Sequence, residues 1–315
     1  MKRRQTPGNG TVFFLLAFSD LSLVAQTSLF VFFLLSYLLS VIGNGLIILV
    51  VMFSPRLHSP MYFFLTVLSF TELLSISSTA PKALQSFFQV GKTISFIGCA
   101  TQFSVFTASA TCECALLTVM AYDRYMAICQ PLRYMSVITM TVCWKMTIFT
   151  LIVAFGNGVT AASLLFSLSY CDSNLIAHFF CDTLPMISVA CGNTISIEIY
   201  QLIMSVIGII FPSTLIICSY VKILTSIFLL HSTDSRHKAF STCGSHLLSV
   251  IIFFGSAMFA HLRFGNPFSS YEDRIVSLSY CVIIPTINPL IYSLKNNEMK
   301  EAIRKLNLKI VAVHM

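Results

Sequence analysis

The chain has 315 residues, of which 56% are hydrophobic and only 10% charged; with a mean hydropathy of +0.84, a water-soluble domain would have nowhere to bury so much apolar surface. The formal net charge of +7 would suit a nucleic-acid partner, but the basic residues stand singly in apolar sequence without a basic stripe interleaved with aromatics, which excludes that class. The solvent for most of the chain is lipid, and a bilayer core of roughly 30 Å needs about 20 mainly apolar residues per helix.

Taken in order, the chain begins with a basic start and the polar run Thr6-Pro7-Gly8-Asn9-Gly10-Thr11, followed by a short apolar stretch. No cleavable signal peptide is expected, and the first span serves as its own anchor. Asn9-Gly10-Thr11 is a glycosylation sequon with Asn9 as acceptor. Seven apolar spans are predicted near 27–53, 60–83, 96–122, 141–168, 198–229, 238–262 and 271–294. They divide the chain into an outer tail, 1–26, one membrane domain, 27–294, and an inner tail, 295–315. With the first tail outside, twelve Lys and Arg residues fall on the inner side and seven on the outer, which places the carboxyl terminus inside, although Lys2 to Arg4 pull the other way. An odd number of helices without an internal repeat argues against inverted-repeat transporters. Pro60, Pro81, Pro212, Pro285 and Pro289 lie in or beside spans, where each removes a helical hydrogen bond and favours a kink. After the last span, Met299, Ile303 and Leu306 recur at helical spacing among charges, as in a short amphipathic helix on the inner leaflet; a solvated tail is the alternative.

In the third span, Phe106, Ala110, Glu113, Leu117 and Arg124 share one helical face, with Glu113 roughly 16 Å from Arg124 at the helical rise. A carboxylate in hydrocarbon is costly, so Glu113 and Glu72 are expected to point into the bundle and share a sodium ion, a proton or water. The alternative is a protonated acid bonded to a neighbouring helix. At the inner end, Asp123 and Arg124 read either as an interfacial salt bridge or as a switch, with Arg124 held at rest and released when the third and sixth helices part. Of eleven cysteines, Cys99, Cys171, Cys181 and Cys191 fall on the outer side, where bridges persist. Their spacing does not rank the three possible pairings. A metal site joining them with His178 is the weaker alternative, and no metal is expected.

Several motifs occur in sequence order: Gly43-Asn44, Leu57-His58-Ser59-Pro60-Met61-Tyr62-Phe63-Phe64-Leu65, Met120-Ala121-Tyr122-Asp123-Arg124-Tyr125 with Pro131-Leu132-Arg133-Tyr134, His178-Phe179-Phe180-Cys181-Asp182, Ser219-Tyr220, Lys238-Ala239-Phe240-Ser241-Thr242-Cys243, Ser245-His246-Leu247 and Asn288-Pro289-Leu290-Ile291-Tyr292. Over nearly the whole chain they resemble the odorant receptor branch of the rhodopsin-like seven-helix receptors, the last motif being common to that wider class. The resemblance implies an all-α seven-transmembrane bundle with an eighth amphipathic helix, in the plasma membrane with its amino terminus outside. It implies bridges Cys99–Cys181 and Cys171–Cys191, an ion held at Glu72 with Asn288, and a coupling switch formed by Asp123, Arg124, Tyr125, Tyr220, Lys238, Asn288, Pro289 and Tyr292. The partners it implies are a small volatile odorant, membrane lipid and a stimulatory G protein of the olfactory type that raises cyclic AMP. No cofactor other than a sodium ion follows from it.

Two absences narrow the ligand. No lysine lies between Ser270 and Leu294, so a Schiff base to retinal has no partner there. Phe106 stands where related amine receptors keep an acid, so a protonated amine would lack its usual counterion in the outer third helix. Positions aligned through Pro212, Ser245-His246-Leu247 and Asn288-Pro289 predict a cavity of Phe103, Phe106, Thr107, Ala110, Thr111, Met204, Ser205, Gly208, Phe254, Ala257, Met258, His261 and Leu278. That lining suits a mainly hydrophobic volatile with one hydrogen-bonding group. Phe254 replaces a tyrosine common in the family, and His261 stands where tyrosine is usual. No Gly-x-Ser-x-Gly pattern suggests an enzyme. The rival reading is a transporter or proton channel using Glu72 and Glu113 as relays.

Overall fold

A computed structural model of the chain describes residues 12–88, 93–170, 174–229, 233–261 and 270–313; at 88, 233–242, 261, 270, 294–295 and 307–313 it describes the backbone alone. Seven helices among these residues are long and apolar enough to cross a membrane: Leu23–Phe53, Pro60–Phe87, Phe96–Cys129, Met140–Phe166, Ile195–Phe228, Cys243–Ala260 and Tyr271–Ser293. Several run past the apolar spans read from sequence. The first begins at Leu23 rather than 27 because the Ser22 side chain accepts from the Ala25 amide at 3.4 Å. Ser95 and Thr139 cap the third and fourth in the same way. The third continues through Asp123 and Arg124 to Cys129, since the hydrogen-bond ladder does not stop where apolar sequence does.

Proline shapes the fifth and seventh helices. Each contains a five-residue π turn, Val206–Ile210 and Ser279–Ile283, directly before a segment whose second residue is Pro212 or Pro285. A proline donates no amide hydrogen to the carbonyl four residues earlier, and the wider turn carries the helix through that gap. The bulges change the phase of side chains on either side of them.

Between helices, small residues let backbones touch, as packing in lipid favours. A Cβ added at Gly158 would stand 2.4 Å from the Ser104 carbonyl oxygen, and one at Gly43 would stand 2.7 Å from Pro289 Cβ. The third helix lies against the second, fourth and fifth, while Phe149, Ile152 and Phe155 of the fourth point outward. Asn44, Glu72, Asp123 and Asn288 are all buried, so the polar groups face inward.

The end that bears the disulfide is closed by more than loops. Val12–Leu15 pairs antiparallel with Thr93–Ser95 and parallel with Leu175–Ile176, at the centre of a three-stranded sheet. Part of the segment read from sequence as a tail is therefore structural. Phe18 continues it inward to stack 5.6 Å from Phe179. Arg274, only 4% exposed, donates to both Asp20 carboxylate oxygens at 2.6 Å and to the Ala17 carbonyl. Cys99 and Cys181 are bonded, and Gln102 reinforces that joint by accepting from the Cys181 amide at 3.0 Å while donating to the Ser78 carbonyl at 2.9 Å. Cys191 is disulfide-bonded; Cys171, its expected partner, and Asn9 lie outside the described residues.

At the opposite end a further helix spans Asn297–Val313. The Asn296 side-chain oxygen caps it by accepting from the Glu298 and Met299 amides at 3.0 and 3.2 Å. Met299 and Ala302 are buried against the bundle.

Gly158→Ala is expected to push the third and fourth helices apart at an overpacking cost of about 1–3 kcal/mol. Cell-surface antibody staining of a tagged chain should fall several-fold, while Gly156→Ala, which meets nothing within 4 Å, stays at the wild-type level.

Candidate functional site

A cavity of about 140 Å³ opens in the half of the bundle nearer the disulfide. The third helix supplies Phe106, Thr107, Ala110, Thr111, Glu113 and Cys114; the fifth supplies Gln201, Met204, Ser205, Gly208 and Ile209; the sixth supplies Phe253 and Ala257. Ser75, Asn157, Tyr280 and the loop residues Asp182 and Thr183 complete the described lining. Both π turns contribute to it, through Gly208 and Ile209 in one and Tyr280 in the other. A bulged helix turns outward-facing positions toward the bundle, which is why such turns recur where ligands bind.

Eight expected residues line this cavity: Phe106, Thr107, Ala110, Thr111, Met204, Ser205, Gly208 and Ala257. Four others do not. Phe103 packs its ring 6.3 Å from Phe166 in the cluster beneath the sheet. Phe254 is buried in the main core, because Phe253 and Ala257, four residues apart, hold the cavity face and Phe254 lies on the next one. Met258, four residues beyond Phe254, is 36% exposed. Leu278 joins the cluster around Phe18 and Phe179, and Tyr280, inside the π turn, takes the cavity position instead. The side chains of His261 and Lys238 lie outside the described set.

Asn157, Gln201 and Asp182 were missed by sequence reasoning. Asn157 donates to the Thr111 hydroxyl at 2.7 Å and accepts from Tyr200 at 2.6 Å, so it links the fourth helix to the third and fifth. A polar residue facing inward amid the apolar run of the fourth span was the available signal. For Asp182 there was none, because only the bond of Cys181 to the third helix brings the loop over the cavity.

At the deep end of the cavity the buried acids differ in their partners. Glu72 accepts from the Asn288 amide at 2.5 Å. Glu113 is 4% exposed, and its Oε1 has no hydrogen-bond partner. One helical turn further, the backbone carbonyl of Leu117 accepts from His246 Nε2 at 3.2 Å, which leaves Nδ1 to accept from the Tyr220 hydroxyl at 2.6 Å. This clasp joins the third, fifth and sixth helices. Among the described residues, no group of three potential metal-ligating side chains comes together.

At the far end of the third helix, Asp123 Oδ1 accepts from the Tyr134 hydroxyl at 2.9 Å. Arg124 Nε lies 3.9 Å from Asp123 Oδ2, and neither atom has a hydrogen-bond partner. The expected ion pair is thus loose, with the closer bond going to the short helix Pro131–Val137. Tyr125 accepts from the Gln130 amide at 3.1 Å, and its ring lies under the Lys222 ammonium. Tyr292 is buried in the same core, and Pro289 packs on Gly43.

Comparison with known proteins gives one answer along the chain. A family profile described as "Olfactory receptor" matches residues 33–309. Mouse olfactory receptor 9S13 is 43% identical over 303 residues, covering 96% of this chain and 90% of the relative. Human olfactory receptor 5F1 is 43% identical over 293 residues, covering 93% of each. Mouse olfactory receptor 5AR1 is 46% identical over 283 residues, 89% of this chain and 91% of the relative.

One loop residue carries a pH signature. His178 Nε2 lies 3.1 Å from the Ser277 hydroxyl, and burial drives the imidazole's pKa down from 6.5 to about 4. The folded state therefore favours the neutral ring, so this contribution is complete above pH 6.5 and is lost as pH falls toward about 4. Thermal unfolding of the purified protein should show its midpoint falling across that window, and the fall should flatten in His178→Gln.

Proposed function

The chain belongs to the olfactory receptor family, whose members are G protein-coupled receptors and not enzymes, and from that premise we propose that it binds a small, mainly hydrophobic volatile in the cavity and raises cyclic AMP through a stimulatory G protein of the olfactory type. The observation that carries this reading is a mainly apolar cavity set on the same helix as the Asp123–Arg124 pair. Lining of this kind suits a drug-sized or smaller apolar ligand held by few polar contacts. The reading places the protein in the plasma membrane with the disulfide end outside and Arg124 facing the cytoplasm. It also assigns a Cys171–Cys191 bridge, glycosylation at Asn9, and the helix 297–313 lying along the inner leaflet.

In this mechanism the ligand acts only through its difference in affinity for two arrangements of the bundle. Asp123 and Arg124 are held 3.9 Å apart and the Tyr220–His246–Leu117 clasp is closed, which describes a shut inner face. Opening moves the sixth helix away from the third, breaks the clasp and frees Arg124 to receive the G protein, with Tyr125, Lys238, Asn288, Pro289 and Tyr292 assigned to the same coupling switch. Glu72 and Asn288, with Glu113 beside them, form the proposed site of a sodium ion or a proton. The family assignment does not favour the transporter or proton-channel reading.

The test expresses a surface-tagged chain beside the olfactory-type G protein and records cyclic AMP against a panel of volatiles. Arg124→Ala should abolish a dose-dependent rise without lowering the surface level. Gly208→Leu should raise the half-maximal concentration at least about tenfold, roughly 1.4 kcal/mol of lost binding, since its side chain projects into open space. A response that survives Arg124→Ala would refute the coupling mechanism.

A further inference from the structure

The cavity carries two carboxylates that a purely apolar site would not need. Asp182 stands beside the disulfide and Glu113 at the deeper end; Glu113 lies seven residues below Phe106, roughly 10 Å along the helix. Asp182 is held in place from both sides. Its Oδ1 accepts from the Thr183 amide at 2.7 Å and its Oδ2 from the Tyr280 hydroxyl at 2.8 Å. Tyr280 is in turn bonded to Ser277 at 2.6 Å, and Ser277 to His178 at 3.1 Å. Glu113 is the opposite case: buried at 4% exposure and lining the cavity, with Oε1 unpartnered. Of the acids assigned above to the ion or proton site, Glu72 is bonded to Asn288 and only Glu113 also lines the cavity.

Two of the lining hydroxyls, those of Thr111 and Ser205, have spent their protons. Thr111 donates to the Thr107 carbonyl at 2.9 Å and Ser205 to the Gln201 carbonyl at 2.8 Å. What they still offer is lone pairs. The described lining contains no Lys, Arg or His to balance the two acids. Resting on the receptor reading above, we propose that this cavity selects small volatiles bearing a hydrogen-bond donor, with protonated alkyl amines as the favoured class and the matching carboxylic acids rejected. The counterion missing from the outer third helix at Phe106 is supplied by the loop and by the helix one level deeper. A buried acceptor without a donor is unfavourable, and an ammonium brings donors as well as the opposite charge.

The experiment uses the full chain in lipid nanodiscs and a matched series with one alkyl chain: primary amine, alcohol, methyl ether and carboxylic acid. Binding is read as ligand-dependent thermal stabilisation, and activation as cyclic AMP in cells. The amine is expected to bind at least about tenfold more tightly than the ether, with the alcohol between them and the acid weakest. Glu113→Gln and Asp182→Asn should each lower amine affinity about tenfold while moving the ether less than about threefold, in protein that keeps its wild-type surface level. If a variant fails to fold, the wild-type ranking decides alone. An acid or ether that matches the amine, or amine affinity unmoved by both substitutions, overturns the proposal. Activation by neutral volatiles but not amines would leave the receptor reading standing and this one refuted. If no volatile binds and Gly208→Leu changes nothing, the cavity reading fails and takes this proposal with it.

Discussion

A polar group inside hydrocarbon has no water to turn to, so it must find its partner within the protein. That requirement organises everything between the two ends of this bundle. It makes each span a helix, because a helix satisfies its own backbone. It explains why Pro212 and Pro285 are accompanied by π turns rather than breaks. It also turns Asn44, Glu72, Asp123 and Asn288 inward, where each is buried. Sheet and irregular loop are confined to the ends, where Val12–Leu15 finds two neighbouring strands to pair with.

Polar groups forced inward collect along the third helix. Phe106 to Glu113 border the cavity, Leu117 receives His246, and Asp123 and Arg124 lie in the last two turns of the same rod. In the proposed mechanism a shift imposed at the cavity has one continuous helix, Phe96–Cys129, to travel along rather than a relay of loops. In the proposed mechanism the clasp on Leu117, closed here through a single carbonyl and a single imidazole orientation, is the element that breaks on opening. Gly158 matters to this route because it brings the fourth helix, and with it Asn157, within reach of Thr111.

The cap at the disulfide end supplies part of the cavity lining. Its sheet, the Arg274–Asp20 pair and the Phe18 stack hold the amino-terminal segment against the loop that carries Cys181 and Asp182. Asp182 is thereby a lining residue with a fixed direction, oriented by Tyr280 and Thr183. Asp182 and the unpartnered Oε1 of Glu113 place hydrogen-bond acceptors in a cavity whose surface is otherwise mainly apolar.

Seven apolar runs, the inward acids of the second and third spans, and the Asp123-Arg124 step at a helix end were legible in the sequence, because each depends on local composition or on a single helical period. Eight cavity residues were legible for the same reason. Phe254, Met258 and Leu278 were misplaced because facing is a matter of phase: one residue of rotation, or one π turn, moves a side chain to the next surface, and periodicity alone does not register it. The strand Val12–Leu15 and the lining role of Asp182 depend on partners 79 to 161 residues away in the chain. Sequence by itself thus determined the solvent, the number of spans and the acids that had to point inward, since the cost of exposing them to lipid is local. Tertiary structure alone decided which acid kept a partner and which was left facing the cavity, since that depends on where Asn288 and the disulfide-tethered loop come to rest.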